Sequence, residues 1–188
     1  MIPILTERLI LRDWRPEDRP AFAAMNADPR VMHFLRGPMS AADADSMIDR
    51  FTAEIVREGL GIFAVEEAVS GRLVGMIGLH RIRPSIPIAP AVEVAWRLAA
   101  DTWGQGYASE GARACLAFGF DEIGLPEIVA YATAPHAASR RVMEKIGLRR
   151  SAADDFDHPE LPMDDPFRRH VVYRLRAEDW RGDQPGRG

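Results

Sequence analysis

Two glycines in the segment "DTWGQGYASEGARACLAFGF" (residues 101–120) stand directly ahead of a run of small residues at helical spacing. Glycine lets the backbone turn tightly and lets another group approach it closely. The first amides of a helix lack acceptors within the chain, and the helix dipole adds positive charge there, so such a turn can hold a phosphate without lysine. The amides of the cradle would belong to Gln105, Gly106, Tyr107, Ala108 and Ser109. A plain turn between a strand and a helix explains Gly104 and Gly106 equally well.

Two other phosphate-binding motifs do not fit this segment. A P-loop requires Gly-Lys-Ser or Gly-Lys-Thr after its turn, whereas Tyr107 and Ala108 follow Gly106 here. A Rossmann fingerprint requires G-x-G-x-x-G at the start of a helix, whereas "GQGYAS" ends in Ser109 and no acidic ribose partner is evident. Both nucleotide-binding motifs are therefore disfavoured.

The composition predicts one globular domain in a reducing compartment. The 188 residues carry a net charge of -4, which disfavours a nucleic-acid partner. The single cysteine, Cys115, excludes an internal disulfide and a cysteine-based zinc cage. The amino terminus has no basic segment ahead of an apolar run, and no apolar run approaches the roughly 20 residues of a membrane span. We therefore expect a cytoplasmic protein with one domain over residues 1–176 and a flexible tail over residues 177–188.

Alternation and capping signals predict a mixed sheet with helices on both faces. Strands are predicted over Arg8–Trp14, Gly61–Ala68, residues 73–83, Val92–Leu98, Glu127–Thr133 and Arg169–Leu175, with a short strand between the last two. Helices are predicted after Pro16, after Ser40, over Ala108–Phe120 and over residues 136–147. The crossover from Val92–Leu98 through a helix to Glu127–Thr133 should be right-handed and should place these two strands parallel.

The segments "VEVAWRL", "WGQGYASEGARACLAFGF" and "HAASRRVMEKIGL" follow one another in the chain, after the opening "TERLILRDWRPED". In this order they resemble the GNAT superfamily of acyl-CoA-dependent N-acetyltransferases. Within it, the chain resembles the branch that includes the ribosomal-protein N-terminal acetyltransferases. The resemblance covers roughly Thr6 to Leu175. The superfamily's pyrophosphate loop has the form Q/R-x-x-G-x-G/A, in which Gly106 and Ala108 fill the last two fixed positions and Trp103 replaces the first.

The resemblance implies an α/β acyl-CoA N-acyltransferase (GNAT) fold, with a mixed, mostly antiparallel twisted central sheet of about seven strands and about four flanking helices. It also implies acetyl-CoA as the cosubstrate. In this superfamily the pantetheine arm pairs with the backbone of the strand before the loop, as an added strand would, and here that backbone belongs to Trp96, Arg97 and Leu98. The amides from Gly104 to Ser109 would hold the pyrophosphate. His136 stands where an asparagine usually bonds the pantetheine arm.

Acetyl transfer from a thioester to an amine requires a neutral amine, donors for the tetrahedral oxyanion and a proton for the departing thiolate. Backbone amides of the strand Val94–Trp96 would be the oxyanion donors. The superfamily often uses a tyrosine four residues before the glycine that ends the later helix. That position is Met143 here, so Ser139 is the candidate acid, unless its hydroxyl only bonds to its own helix. Glu93 is the candidate base, acting through water, or else a carboxylate that faces solvent.

Four further side chains are candidates for contact with the acceptor, namely His80, Tyr131, His158 and His170. Histidine titrates near neutral pH, so an imidazole could take a proton or bind the substrate, whereas Tyr131 could instead be a core aromatic residue. The histidines have no metal-ligand spacing, and no metal is predicted. The acidic segment "DDFDHPELPMDD" (residues 154–165) could steer a cationic amine toward the site, or be a solvated loop.

The sequence thus predicts an enzyme that moves an acetyl group from acetyl-CoA to a primary amine by direct attack in a ternary complex. The acceptor is a protein N-terminus or a small-molecule amine. The alternative is a non-catalytic CoA-binding sensor or interaction module, for which the missing tyrosine and the substitution at His136 leave room. Neither a nucleic acid nor a membrane is an expected partner, and a homodimer is left open.

Overall fold

A sheet of nine strands forms the centre of the computed structural model, which describes residues 3–35 and 37–182. Its strands are β1 (Ile4–Leu5), β2 (Leu9–Arg12), β3 (Ile62–Glu67), β4 (Leu73–Arg81), β5 (Val92–Leu98), β6 (Glu127–Thr133), β7 (Arg149–Arg150), β8 (Phe156–Asp157) and β9 (Arg169–Arg176). The α-helices are α1 (Asp18–Ala27), α2 (Pro29–Met32), α3 (Ala41–Glu58), α4 (Tyr107–Ala117) and α5 (Ala137–Lys145).

The sheet is mixed and mostly antiparallel, which confirms the predicted fold class. Neighbouring strands follow the order β1-β2-β3-β4-β5-β6-β9-β7, and β8 pairs with β9. The pairing of β5 with β6, which α4 connects, is parallel, and the other pairings in this sheet are antiparallel. The short strand predicted before the last one is β7, and two more strands are present than predicted, because β1 and β8 contain 2 residues each, too few for an alternation pattern.

Helices cover both faces of the sheet, because neighbouring residues of a strand point to opposite faces. On β4, Ile77 faces α4, since a Cβ added at Gly111 would lie 2.5 Å from Ile77 Cδ1. Its neighbour Met76 is the register partner of Arg97, whose guanidinium donates to the side chain of Asn26 on α1. The sheet therefore lies between an α1–α3 layer and an α4–α5 layer. Within the described part of the chain, no helix is long and apolar enough to cross a membrane.

The buried apolar side chains of the described residues form two clusters on the sheet. The larger one contains buried side chains from the sheet and from both helical layers, among them Phe22, Phe63, Leu79 and Leu116. The smaller one joins the segment after β4 to β6, β8 and β9, through Ile82, Ile86, Val129, Phe156 and Val172. Tyr131 packs against the smaller cluster, which fixes its position on β6.

Local signals place the ends of α3 where the sequence predicts them. The Ser40 hydroxyl accepts a hydrogen bond from the Asp43 amide at 3.1 Å and so satisfies one free amide of the first turn. Gly59 follows the last turn with φ of 69°, a left-handed conformation that glycine adopts without strain. Between these ends, Phe51 and Ile55 pack on the larger apolar cluster.

A polar clamp, formed by Thr6, Arg8 and Glu110, ties the amino-terminal strands to the start of α4. The Thr6 hydroxyl donates to Glu110 Oε1 at 2.6 Å, and Arg8 Nε donates to Glu110 Oε2 at 2.7 Å. Arg8 Nη1 also donates to the Gln105 carbonyl at 2.9 Å. Because Glu110 belongs to the first turn of α4, its charge also suits the helix dipole. The clamp therefore holds the turn that precedes α4 against the edge of the sheet.

The carboxyl-terminal end of the described chain packs on the domain. Ala177–Asp179 form a 3₁₀ turn, and the ring centroids of Trp180 and Phe120 lie 5.5 Å apart. The Trp180 indole donates to Asp121 at 3.1 Å, within a π-helical turn over Phe118–Glu122. The start of the predicted tail is therefore anchored by an apolar ring, while residues 183–188 of that tail lie outside the described residues.

Candidate active site

A gap opens in the sheet between β5 and β6, the two parallel strands. Their register contains one pair, Glu93 with Val129. By contrast, β5 pairs with β4 along its whole length, from Val92 to Leu98. Beyond Glu93, the edge of β5 that faces β6 is therefore available to a ligand.

The register shows which residues of β5 direct their backbone groups into this gap. In an antiparallel ladder, alternate residues direct both N–H and C=O to the same partner strand. Ala99 donates to the Val74 carbonyl at 2.9 Å, so Arg97, which precedes it by two residues, also directs its backbone groups to β4. Trp96 and Leu98 direct theirs into the gap. The predicted backbone contact of Arg97 with the cofactor is therefore wrong, because neighbouring residues of a strand use opposite edges.

The Arg97 side chain joins β5 to the α1–α3 layer. Its guanidinium donates to the side-chain oxygen of Asn26, and Nη1 lies 3.9 Å from Met47 Sδ. Burial lowers the pKa of Arg97 to about 10. Asn26 is fully buried and is held in turn by a hydrogen bond of 2.7 Å from its Nδ2 to the Phe22 carbonyl. The Arg97 side chain thus anchors β5 to the α1–α3 layer, while the backbone groups of Trp96 and Leu98 are directed into the gap.

Trp103 closes the open edge of β5 at its carboxyl end. Its indole Nε1 donates to the Leu98 carbonyl at 3.0 Å, and 51% of the residue is exposed. The Leu98 carbonyl, the last on this edge, is therefore already bonded to Trp103 when a ligand pairs with the strand. The backbone groups of Trp96 and the amide of Leu98 remain for such a ligand.

The glycine turn has the tight conformation that its sequence predicts. Gly104 has φ of 78° and Gly106 has φ of 86°, both in the left-handed region where a side chain would be strained. Gly106 is the N-cap of α4, and the amides of the first turn, from Tyr107 to Ser109, have no acceptor within the helix. A Cβ on Gly106 would lie 3.4 Å from Arg8 Nη2. This helix start therefore presents several N–H groups and the positive end of the dipole, which is the arrangement that binds phosphate.

The start of α5, directly after β6, carries His136 and Ser139. Ser139 is buried in the first turn, and among the described residues no group accepts a hydrogen bond from its hydroxyl. A bond to its own helix, the alternative considered for Ser139, is not observed. The His136 ring stacks on Phe34 at 4.3 Å, and its Nδ1 is buried without a described partner. Burial, together with His33, lowers the pKa of His136, so the neutral ring prevails at neutral pH.

Glu93 is buried and pairs with His80. The two residues stand opposite each other in the register of β4 and β5, and His80 Nε2 lies 2.5 Å from Glu93 Oε1. Glu93 is 8% exposed, so the alternative of a solvent-facing carboxylate is wrong. The sequence treats these residues as separate candidates, whereas the structure joins them into one pair.

An aromatic cluster extends from Glu93 across β6 and β9. Burial, followed by the charge of Glu93, raises the pKa of Tyr131, whose hydroxyl faces that carboxylate. The ring centroid of His170 lies 5.8 Å from that of Tyr131 and 5.1 Å from that of His158. Burial lowers the pKa of His170, whose Nδ1 donates to the Arg168 carbonyl at 3.0 Å. The structure thus brings the four side chains predicted to contact the acceptor into one region around Glu93.

Arginines pair with the carboxylates of the acidic segment at residues 154–165. The ion pairs are Asp154 with Arg174 (2.7 Å), Asp155 with Arg150, Asp157 with Arg169 (3.3 Å) and Glu160 with Arg83 (3.1 Å). Such pairing weakens the attraction that these carboxylates could exert on a distant amine. In the described chain, neither these groups nor other His, Cys, Asp and Glu side chains form a set of three that could hold a metal ion.

A second aromatic cluster, at the start of α5, was missed by sequence reasoning. Phe34, which stacks on His136, lies 5.5 Å from Phe167, and His33 lies 5.7 Å from Phe167. These rings belong to the segment after α2 and to the segment before β9. No local pattern connects two segments so far apart in the chain, so only the folded structure shows that they meet beside the helix that carries Ser139.

Comparison with protein families matches residues 8–149 to the acetyltransferase (GNAT) domain. The uncharacterized N-acetyltransferase YoaA of Bacillus subtilis is 32% identical over 154 residues, which are 80% of this chain and 85% of that protein. The uncharacterized N-acetyltransferase YnaD of the same organism is 27% identical over 180 residues, which are 94% of this chain and 98% of that protein.

Solved structures share the fold over nearly the whole chain. An acetyltransferase of the GNAT family from Bacillus anthracis has a TM-score of 0.78 at 27% identity, over 94% of this chain and 99% of that one. RimL, a ribosomal L7/L12 α-N-protein acetyltransferase in complex with coenzyme A, has a TM-score of 0.77 at 15% identity, over 94% of this chain and 99% of that one. At this identity, the second likeness concerns the fold alone.

Proposed function

The chain belongs to the GNAT acetyltransferase family, and on that premise we propose that it acetylates a primary amine by direct attack on acetyl-CoA in a ternary complex. The observation that carries the proposal is the gap between β5 and β6. One free strand edge, one helix start with free amides and one buried carboxylate meet there. A peptide α-amine is the acceptor that we favour.

The proposed contacts with acetyl-CoA in the gap come mainly from backbone groups of this chain rather than from its side chains. Trp96 and Leu98 direct backbone groups into the gap, as pairing with an extended pantetheine arm requires. The glycine turn and the first turn of α4 follow in the chain, and their N–H groups favour a diphosphate. His136 is the proposed side-chain contact with the pantetheine arm, because its buried Nδ1 lacks a described partner.

The transfer requires that the amine lose a proton and that the thiolate gain one. Glu93 is the proposed base, since it is buried at the point where β5 and β6 separate. Ser139 is the proposed acid, since the residue is buried in the first turn of α5 and no described group accepts a hydrogen bond from its hydroxyl. The amide of Trp96, directed into the gap, is the proposed donor to the oxyanion of the tetrahedral intermediate.

The acceptor side of the site supports an amine that is partly neutral at physiological pH. An α-amine has a pKa of about 7.7–8.0, whereas that of lysine is about 10.4. Carboxylates are weaker bases than either amine, so a carboxylate as the base suits the α-amine better than lysine. Tyr131, His158 and His170 are the proposed contacts with the acceptor, because they extend from Glu93 as one cluster.

An acceptor screen with acetyl-CoA tests this function. The panel contains peptides with free N-termini, the same peptides with blocked N-termini and an internal lysine, and small aliphatic amines. The readouts are release of free thiol and the mass of the acetylated product, against a control without amine. Turnover of an amine above that control is the expected result. Binding of CoA without turnover of any amine would instead indicate a non-catalytic CoA-binding module.

A further inference from the structure

His80 gives the buried Glu93 carboxylate a hydrogen-bonded neighbour that reaches solvent. The two side chains lie on the same face of the sheet, because opposite residues of neighbouring strands share a face. Their Nε2 and Oε1 atoms are 2.5 Å apart. The exposed fraction of the side chain is 11% for Glu93 and 26% for His80. A proton that reaches the carboxylate therefore has a second titratable group beside it on the way to water.

Three charged groups face His80 from the elements packed around it. They are Glu93 on β5, Glu54 on α3 and Arg83 in the segment after β4. Burial favours the neutral ring, but Glu93 and then Glu54 outweigh burial and Arg83, so the pKa of His80 lies above its usual value. On β6 and β9, Tyr131 and His170 face Glu93. The pair therefore holds a proton near neutral pH more readily than an isolated imidazole would.

On the premise that Glu93 takes the proton of the amine, we propose that His80 is the positioning residue that orients Glu93 and relays this proton to solvent. The neutral amine attacks the thioester carbonyl, and the C–N bond forms as the oxyanion appears. The ammonium nitrogen of this intermediate loses its proton to Glu93. The C–S bond then breaks, and the thiolate takes a proton from the acid of the site.

The relay returns Glu93 to its carboxylate form. At rest, the neutral His80 ring donates its Nε2–H to the Glu93 carboxylate. Once Glu93 is protonated, exchange with water moves the ring hydrogen from Nε2 to Nδ1, and Nε2 then takes the proton from the carboxyl group. The resulting imidazolium releases its Nδ1 proton to water, which restores the Nε2–H ring and the carboxylate. The relay therefore works only while His80 is neutral before each turnover. Below the pKa of His80, activity should fall by one further factor of ten per pH unit, in addition to the loss of neutral amine.

The slope of the acid limb tests the relay. For one peptide acceptor, log kcat/KM of the wild type should rise with a slope approaching about two at low pH, one each for the amine and His80. In His80→Gln, an amide donor to Glu93 remains but cannot titrate, so the slope should approach about one and kcat should fall at neutral pH. A His80→Gln variant that keeps the steeper slope would overturn the relay. If the wild type acetylates no amine, the proposed function is wrong, and the relay, which depends on that function, is wrong as well.

Two carboxylates of α3 provide a matched pair of variants. Glu54 faces His80, whereas Glu58, one turn later, bonds to Arg57 and Arg81. The plot of log kcat/KM against pH should bend at the pKa of His80. Glu54→Gln should move this bend to lower pH, and Glu58→Gln should leave it in place. Equal bends in the two variants would contradict the assignment.

Nuclear magnetic resonance of the His80 ring tests the pair without any acceptor, and so does not depend on the proposed function. The wild-type ring should titrate above about pH 6.5, the usual value for histidine, and its pKa should fall in Glu93→Gln. A ring that titrates at the same pH in both proteins would overturn the pair. This measurement also applies if His80→Gln fails to fold.

Discussion

The indole N–H of Trp103 donates to the carbonyl of Leu98 at 3.0 Å, at the end of the β5 edge that faces the gap. Trp103 stands at the first position of the proposed pyrophosphate loop, where the superfamily pattern has glutamine or arginine. The hydrogen bond therefore ties the start of that loop to the strand on which the pantetheine arm is proposed to lie. The bond therefore fixes the position of the glycine turn, the proposed contact of the pyrophosphate, relative to the edge of β5, the proposed contact of the pantetheine arm.

Trp103→Phe should weaken CoA binding about fivefold, the effect of one hydrogen bond of about 1 kcal/mol. The phenyl ring keeps most of the apolar surface but leaves the Leu98 carbonyl without its donor. Calorimetric titration with CoA measures the change. Trp180→Phe is the matched control, since it loses an indole bond to Asp121 away from the gap and should keep the wild-type affinity. Equal affinities in the two variants would argue against a role for the Trp103 bond.

Gly106→Ala should lower CoA affinity about tenfold or more, because the added Cβ stands at the helix start proposed to hold the pyrophosphate. Gly124→Ala is the control for the backbone strain that alanine causes at a positive φ. Gly124 has φ of 75°, close to the 86° of Gly106, and a Cβ there meets no atom within 4 Å. Both variants should lose about 1–2 kcal/mol of folding free energy. If CoA affinity drops equally in both, the effect belongs to the backbone and the pyrophosphate site is elsewhere.

Ser139→Ala should lower kcat by about 100- to 10,000-fold, the scale of losing one acid catalyst, with little change in CoA affinity. Single-turnover and steady-state release of free thiol measure the loss. Ser46→Ala is the control, because the Ser46 hydroxyl bonds to the Ala42 carbonyl on the exposed side of α3. Turnover of the Ser139 variant within about a factor of two of the wild type would mean that water or another group protonates the thiolate.

Local signals were sufficient to predict the elements that frame the site. Val92–Leu98 and Glu127–Thr133 have the predicted bounds, because each is a run of strand-forming residues between turn residues. The glycine turn was predictable for the same reason, since two residues with positive φ in a short span require glycine.

Contacts between strands could not be predicted in the same way. The conformation of the segment 82–91 sets the alignment of β4 with β5, and so sets which residue of β4 pairs with Glu93. The prolines of this segment do not reveal that alignment. The sequence therefore named His80 and Glu93 without joining them. The same limit explains the error at Arg97, because the direction of a backbone N–H on β5 follows from its pairing with β4 and not from the residue type.

Asp18→Asn should destabilise the fold by about 3 kcal/mol at neutral pH, because it breaks a buried ion pair. Two Arg12–Asp18 hydrogen bonds, of 2.7 and 2.8 Å, join side chains that are 8% and 5% exposed. Burial opposes the charged carboxylate, but Arg12 and the Arg15 amide outweigh burial and lower the pKa of Asp18.

The depressed pKa sets the pH dependence of this effect. Stability from Asp18 is fully present above the unfolded value of about 3.9 and is lost as pH falls through the lower folded value. The difference between wild type and Asp18→Asn should therefore shrink in strong acid. Urea unfolding at neutral pH and at about pH 3 measures it. Asp49→Asn, in an exposed pair with Arg19, should leave the urea midpoint unchanged. A constant difference at both pH values would contradict the role given to the Asp18 charge.

The choice of acceptor should appear in the pH dependence of matched substrates. At pH 7 the neutral fraction of an α-amine with a pKa near 8 exceeds that of a lysine side chain by roughly 250-fold. A carboxylate is a weaker base than either amine and cannot offset that difference. At pH 7, kcat/KM should therefore be clearly larger for a free N-terminus than for lysine in an otherwise identical blocked peptide. The α-amine profile should level off near about pH 8, where most of the amine is already neutral, whereas the lysine profile should still be rising. A preference for lysine or for an aliphatic polyamine at pH 7 would refute the N-terminal acceptor, and it would leave the acetyltransferase assignment in place because that rests on the family and the gap rather than on the amine.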